Sequence, residues 1–234
     1  MKKIDVVILA GGKGKRLRPI TKNKVPKPLV EINGIPFLDY LLNYLSKFKI
    51  YRIFILCGYK GTQISERYNN KKINNKLIIC KIENKLMGTG GALNLIKEKV
   101  SRKFLLVNGD TFFKINYNTL LNYKLGKSYG LMVLTNGYKN SFSNKLNKLS
   151  VRKFKVKILK NSKLINSGVY LFKKKIFEKI NIKRNKMISL ESDVLKNLII
   201  KNKIDGCKKS GYFIDIGTSK NYLKAKKYFI KNDN

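Results

Sequence analysis

The sequence predicts an α/β fold, a mixed and mostly parallel sheet flanked by helices, on three observations. Apolar runs of strand length alternate with amphipathic helical patterns through the first half, as βαβ units do. The first run, residues 6–9, breaks into glycines at positions 11, 12 and 14. A later run, residues 104–107, ends in Asn108-Gly109-Asp110. That places a carboxylate at the carboxyl end of a buried strand, where open α/β sheets bind ligands.

The elements follow in order. Residues 6–9 (Val-Val-Ile-Leu) read as a strand buried on both faces. Phe37, Tyr40, Leu41, Tyr44, Leu45 and Phe48 recur at helical spacing and predict one amphipathic helix. Residues 53–56 and 77–82 are further strands, the second running out before Met87-Gly88-Thr89-Gly90-Gly91. Residues 92–100 read as a helix and 104–107 as a buried strand. In the second half, 130–135 is strand-like and 136–150, rich in Asn, Lys and Ser, reads as a loop. Residues 151–159 alternate as an exposed strand, 169–172 form another, and 190–200 a helix. Residues 213–216 are a short strand before Gly217-Thr218, and Ser219 then caps a final helix to about residue 230. No internal repeat or linker is visible, so the 234 residues read as one domain.

Composition narrows the chemistry. Hydrophobic residues make up 43%, enough for a sizeable core. The apolar run after the first residues is too short for a signal-peptide core or a membrane span. Cys57, Cys80 and Cys207 are isolated and lack metal-ligand spacing, as expected of reduced packing residues in a cytoplasmic protein. There is no histidine, which excludes a histidine base and a histidine-bound metal. The net charge is +39, from 52 Lys and Arg against 13 Asp and Glu. The lysines are spread along the whole chain without a basic stripe, so specific nucleic-acid binding is not expected. Salt-sensitive adhesion to polyanions is.

The glycine segment carries the strongest signal. Glycines after a strand let backbone N–H groups approach an anion, and Arg16 and Lys27, the latter between Pro26 and Pro28, add full charges beside it. The arrangement suits a triphosphate. It is neither the dinucleotide fingerprint, because Leu17 stands where the third glycine belongs, nor a P-loop, because no G-K-[ST] follows. Asp110 and Asp215 both interrupt apolar stretches in a chain with few acids, and phosphate-bound magnesium takes one or two protein carboxylates.

The pattern G-G-x-G-x-R-L-x-P at residues 11–19, with Pro26-Lys27-Pro28, resembles the signature of the sugar-1-phosphate nucleotidyltransferases. The resemblance extends over nearly the whole chain and implies a single Rossmann-like domain of the GT-A type. Its nucleotide-binding half would cover about residues 1–115 and its sugar-phosphate-binding half about 116–234, with no room for the extra β-helix domain some members carry. It implies that Leu9, Ala10, Gly11, Gly12, Gly14 and Gly109 line the nucleotide site. Arg16 grips the β- and γ-phosphates, Lys27 sits near the α-phosphate, and Asp110 and Asp215 hold Mg2+. Arg16, Lys27 and Asp110 are then the catalytic residues. Glu83, Gly88 and Thr89 match the base-recognition loop. Leu164-Ile165-Asn166-Ser167-Gly168-Val169-Tyr170 matches the sugar pattern, with Asn166 and Gly168 as contacts, and Glu191 matches an acceptor of sugar hydroxyls.

Lys157 aligns with a lysine that binds the sugar phosphate. The glutamate that usually precedes it is replaced by Val156, and Lys155 and Lys160 compete for the role. Lys15 replaces the usual Thr, and Ser219 the usual Pro. Three segments (88–92, 108–113 and 213–217) are most similar to the branch that makes GDP-D-glycero-α-D-manno-heptose. The resemblance thus implies GTP and D-glycero-α-D-manno-heptose 1-phosphate as substrates. Mannose-1-phosphate guanylyltransferases are the nearest alternative, followed by thymidylyl-, uridylyl- and cytidylyltransferases. Non-catalytic nucleotide or nucleic-acid binding is the distant alternative. An even-numbered homo-oligomer would be ordinary.

Overall fold

The computed structural model describes residues 3–136, 147–159, 161–181 and 186–232. Its strands are β1 (Asp5–Ala10), β2 (Glu31–Ile32), β3 (Ile35–Pro36), β4 (Ile53–Cys57), β5 (Lys72–Ile73), β6 (Lys76–Ile82), β7 (Lys103–Asn108), β8 (Thr111–Phe113), β9 (Gly130–Asn136), β10 (Asn147–Arg152), β11 (Lys155–Ile158), β12 (Leu164–Lys173), β13 (Ile204–Lys208) and β14 (Phe213–Asp215). Ten of them form one sheet in the order β10-β11-β13-β9-β12-β7-β1-β4-β6-β5. The additional β10–β12 pairing closes β10, β11, β13, β9 and β12 into a circuit.

Parallel pairing is confined to β7-β1-β4-β6 and to β9 with β13; the other pairs in this sheet are antiparallel. The expected mixed α/β sheet is therefore present, but it is not mostly parallel. In the second half β13 follows a helix and pairs parallel with β9, but β12 runs back antiparallel along both β7 and β9. Strand β1 lies between β4 and β7, with Ile8 opposite Ile55 and Val107. Its alternate side chains feed two apolar layers, which explains the unbroken apolar run. Val6 and Ile8 join the layer of Leu41, Phe112 and Phe229, under the helices Phe37–Ser46 and Ser219–Asn232. Val7 joins Leu93, Tyr170 and Leu195 on the other face. Each fully buried leucine of the Phe37–Ser46 helix, such as Leu38 and Leu41, is worth about 1.5–3 kcal/mol of transfer.

Several expectations are corrected. Residues 151–159 are not one strand: they hold the end of β10, a turn with Lys153 at φ 45° and Phe154 at φ 60°, and then β11. Two left-handed residues without glycine or asparagine gave no turn signal. Strand β10 begins inside the expected loop, at Asn147; residues 137–146 of that loop lie outside the described residues. The expected helix at 92–100 is an α-helical turn at Gly88–Gly91 continuing as a 3₁₀ segment, Ala92–Ile96. The helix at 190–200 opens with a π-helical turn, Leu190–Leu195, before Lys196–Ile200. Thr218 rather than Ser219 caps the last helix, its Oγ1 accepting the Asn221 N–H at 3.3 Å. The helix Gly61–Tyr68 was not foreseen, because its face offers only Ile64 and Tyr68 to the core. Cys57 and Cys80 are buried, Cys207 is half-buried, and all three are free thiols.

Candidate active site

The loops leaving β1, β4, β6 and β7 meet at the carboxyl edge of the parallel strands. The Gly109 N–H donates to the Leu9 carbonyl at 2.9 Å, tying the end of β7 to that of β1. Gly11 and Gly58 pack backbone against backbone. A Cβ on Gly58 would lie 2.7 Å from the Gly11 backbone, and one on Gly11 would lie 2.5 Å from Glu83 Oε1. Only glycine fits this close approach. Glu83 follows β6, and its Oε2 accepts the Met87 N–H at 2.7 Å. Burial pushes its carboxyl above the usual range, partly offset by that N–H. It therefore braces the 83–87 loop while lining the cleft.

Asp110 and Asp215 are brought together by β14, which pairs antiparallel with β8 so that Asp215 stands opposite Thr111. The Ile216 N–H donates to the Asp110 carbonyl at 3.0 Å. Lys27 Nζ donates to Asp110 Oδ2 at 2.5 Å. Burial opposes charge on Asp110, but attraction to Lys27 and hydrogen bonds from Lys27 and Thr111 outweigh it and hold the carboxyl below its usual range. Lys27 is raised despite its burial, because Asp110 and then Asp215 favour its charged form. Asp215 goes the other way: burial and the facing Asp110 charge push it up to about 7, although Lys27, the Gly217 N–H and Arg16 pull it down. Arg16 reaches the same cluster, its guanidinium 3.3 Å from where a Cβ on Gly217 would sit. Two carboxylates and two cations thus share one corner of the cleft.

The opposite wall is built from hydroxyls around one carboxylate. Gly88 has φ 81°, and a Cβ there would meet the Ile188 carbonyl oxygen at 2.5 Å. The Ile188 N–H donates to the Met87 carbonyl and the Gly90 N–H to the Ile188 carbonyl, so the two segments clamp together. Thr89 Oγ1 accepts the Leu190 N–H at 2.9 Å and donates to Glu191 Oε2 at 3.0 Å. Along β12, the three residues between Asn166 and Tyr170 stand against a single residue of β9, Val133, with Gly168 at φ 72° in the irregularity. Asn166 Nδ2 donates to Tyr170 Oη at 2.5 Å, and Asn166 Oδ1 accepts the Gly168 N–H at 3.0 Å. Gly168 itself packs over the Asn108 amide. Burial, followed by the Glu191 carboxylate, pushes the Tyr170 hydroxyl far up, so it stays a neutral donor.

Between the walls lies a cleft of about 580 Å³, within the size range of small-molecule sites. Of the residues expected from sequence, Leu9, Ala10, Gly11, Gly12, Arg16, Lys27, Glu83, Gly88, Thr89, Asp110 and Glu191 line it. Gly14 packs on the Lys27 stem; Gly109, Asp215, Asn166 and Gly168 stand just behind the lining. Lys157 is not brought there: its Nζ donates to the Asn202 side chain on an exposed surface. Lys155 is committed to Asp205 and Ser128, and Lys160 lies outside the described residues. Sequence reasoning missed Lys13, Asn108 and Met187 as lining residues, whereas Lys15, read as an added charge beside Arg16, does line the cleft. The two lysines were legible as members of the glycine loop. Met187, outside any motif, was not.

A glycine loop, two paired carboxylates and two cations at the carboxyl edge of an α/β sheet define a site built for a nucleoside phosphate. The chain belongs to the nucleotidyl transferase family, whose profile matches residues 5–232. It is 34% identical, over 94% of its length and 97% of the relative's, to the D-glycero-α-D-manno-heptose 1-phosphate guanylyltransferase of Campylobacter jejuni. It is equally identical, over 98% of its length, to the bifunctional protein GlmU of Methanococcus vannielii. The chain spans about half the length of that relative, 56%. Among solved structures, HddC of Yersinia pseudotuberculosis superimposes with a TM-score of 0.79 at 31% identity, covering 97% of this chain and 99% of HddC. HddC complexed with GMP-PN superimposes at 0.77.

Proposed function

We propose that the protein joins a sugar 1-phosphate to the nucleotidyl group of a nucleoside triphosphate, releasing pyrophosphate. The preferred pair is GTP with D-glycero-α-D-manno-heptose 1-phosphate. The observation that carries the reading is the convergence of Arg16, Lys27, Asp110 and Asp215 at one corner of the cleft. The preference for GTP and the heptose rests on the near full-length likeness to the heptose 1-phosphate guanylyltransferases and to HddC.

A phosphate oxygen of the sugar 1-phosphate attacks the α-phosphorus. A bond to that phosphorus forms, the bond to the β-phosphate oxygen breaks, and pyrophosphate departs with the electron pair. Such a transfer needs alignment and charge neutralisation more than acid–base groups, so the lack of histidine is no obstacle. The backbone of residues 11–14 cradles the phosphates, Arg16 holds the leaving β- and γ-groups, and Lys27 faces the α-phosphate. Glu83, Gly88 and Thr89 form the base side; Asn166, Gly168 and Glu191 form the sugar side.

The donor set at Asp110 and Asp215 fits magnesium. Both are hard oxygen donors, they face each other half-buried, and no third acidic, cysteine or histidine ligand stands beside them among the described residues. Substrate oxygens and water would complete the shell, as magnesium favours. When bound, the ion neutralises charge on the transferring phosphate. Among the described residues no helix is long and apolar enough to cross a membrane, and a cytoplasmic location accords with free thiols.

The test is pyrophosphate release with magnesium, each nucleoside triphosphate being paired with a panel of sugar 1-phosphates that includes the heptose and mannose forms. Release with GTP and the heptose phosphate is the expected result. Release with another pair keeps the reaction and overturns the specificity. Silence across the panel from folded protein overturns both.

A further inference from the structure

We infer that Asn108 is a specificity-determining contact for the sugar: its side-chain amide bonds the hydroxyl on the carbon next to the phosphate-bearing one. The inference deepens the reading above and rests on it, in that a sugar 1-phosphate is taken as the second substrate.

Asn108 ends β7 and lines the cleft. Side chains alternate along a strand. Leu105 and Val107 enter the layer under the helices Phe37–Ser46 and Ser219–Asn232, whereas Phe104 and Leu106 enter the layer of Leu93, Leu190 and Leu195. Asn108 continues the second set, so its amide emerges on the face that carries Leu190 and the turn of Glu191. Its place across the sheet points the same way. Strand β7 stands between β12, which carries Asn166 and Gly168, and β1, which feeds the glycine loop; β6, which leads to Glu83, is two strands beyond β1. Asn108 is thus flanked by the sugar strand and the phosphate loop, and lies away from the base side. Two residues further on, Asp110 joins the charged corner through Lys27. The ligand group between that corner and β12 is the part of the sugar nearest its phosphate.

The amide is seated by packing, and its hydrogen-bonding capacity is left for the cleft. The register that sets Val169 opposite Val107 brings Gly168 beside Asn108. A Cβ on Gly168 would lie 2.6 Å from Asn108 Nδ2 and 2.9 Å from its Cγ, and Gly168 has φ 72°. Only glycine leaves room for the amide there. The polar side chains next to it are engaged within the protein: Asn166 with Tyr170 and the Gly168 N–H, and Ser167 with the Val133 carbonyl. The Asn108 amide, half-buried, makes no hydrogen bond to another described residue. Such a group has two hydrogens to donate and an oxygen to accept, and covering it with a ligand that offers no partner costs binding. A hydroxyl both gives and takes a hydrogen bond. The site therefore favours a sugar that presents one at that place and rejects the analogue that lacks it.

The test pairs Asn108→Ala and Asn108→Leu with the 2-deoxy analogue of whichever sugar 1-phosphate the wild type turns over. The wild type should prefer the hydroxylated sugar by about tenfold in kcat/KM, and both variants should use the two sugars within about twofold of each other. Asn108→Leu keeps the bulk against Gly168, so a loss of discrimination shared by both variants comes from the amide and not from the packing. A purely structural amide gives a different pattern: a lower melting temperature and an equal loss on both sugars. That pattern overturns the inference, as does wild-type indifference to the 2-deoxy sugar. A readout independent of turnover is the pair of Asn108 side-chain amide resonances in the nitrogen–proton spectrum, assigned by their loss in Asn108→Leu. With magnesium and a non-hydrolysable nucleoside triphosphate present, they should shift on addition of the sugar 1-phosphate and shift less with the 2-deoxy form. Turnover without such discrimination overturns this inference alone. If the wild type turns over no pair, the proposed function fails; a shift on adding a sugar 1-phosphate then still supports the contact, and its absence overturns both.

Discussion

The two walls of the cleft solve the burial of polar groups in opposite ways. On one, Lys27, Arg16, Asp110 and Asp215 gather charges of both signs; Lys27 and Asp215 hold their protons more tightly than such groups ordinarily do, and Asp110 less tightly. On the other, a single carboxylate, Glu191, sits among neutral donors from Thr89 and Ser189. The first suits a ligand that brings several charges of its own, because an imbalance left in the protein is cancelled when that ligand binds. The second suits a ligand recognised by the direction of its hydroxyls. A charged cluster acts on the transition state, whereas a directional one acts mainly on binding.

The largest effects should therefore come from the charged wall. Asp110→Asn keeps the shape and one acceptor for Lys27 but removes the charge that orders the cluster. Pyrophosphate release should fall by about a thousandfold or more while thermal melting still reports a folded protein. Near wild-type turnover would move the essential carboxylate elsewhere. Lys27→Ala comes next, with a loss of about 10²–10³ in kcat, because two half-buried carboxylates lose their principal cation. If kcat survives and only the nucleotide KM rises, Lys27 contributes ground-state binding alone.

A smaller effect, readable without substrate, is the pH dependence of stability. The folded Asp215 carboxyl, at about 7, binds its proton more tightly than in the unfolded chain, where such a group titrates near 3.9. Its stabilising contribution is fully present below the unfolded value and is lost as pH rises through about 7. Ligand-free protein should thus melt at a lower temperature at pH 8 than at pH 5, and Asp215→Asn should flatten that difference. One unit of displacement corresponds to about 1.4 kcal/mol, or a few degrees in a chain of this size. Millimolar magnesium at pH 8 should restore the wild type and not the variant. Identical pH profiles in the two proteins would mean that the pair is not strained by its own charge.

The charged wall was also the more legible in sequence, for a physical reason. Its parts hang on the ends of β1 and β7, where an apolar run stops and a glycine or aspartate begins, so local pattern and function coincide at Gly11 and Asp110. Only the juxtaposition of Asp215 with Asp110 needed the structure, because it depends on the short β8–β14 pairing. The directional wall depends on distant segments. Thr89 and Glu191 are 102 positions apart in sequence, and no pattern in either states that they touch. The π-helical turn that carries Glu191 and the irregularity that carries Gly168 both break the periodicities from which elements are read.

The smallest effect sharpens the comparison at the point where alignment and geometry part. Lys157 occupies the aligned position of a sugar-phosphate lysine, yet in β11 its side chain reaches Asn202 on the surface. A strand shows alternate residues to opposite faces, so its neighbour Val156 fills the apolar layer and Lys157 points away from it. Lys157→Ala should leave kcat and both KM values within about twofold, as surface substitutions without buried partners do. A rise of tenfold or more in the sugar-phosphate KM would mean that β10, β11 and the turn between them rearrange when substrate binds. The sugar wall would then be completed only in the complex, while the charged wall is preformed.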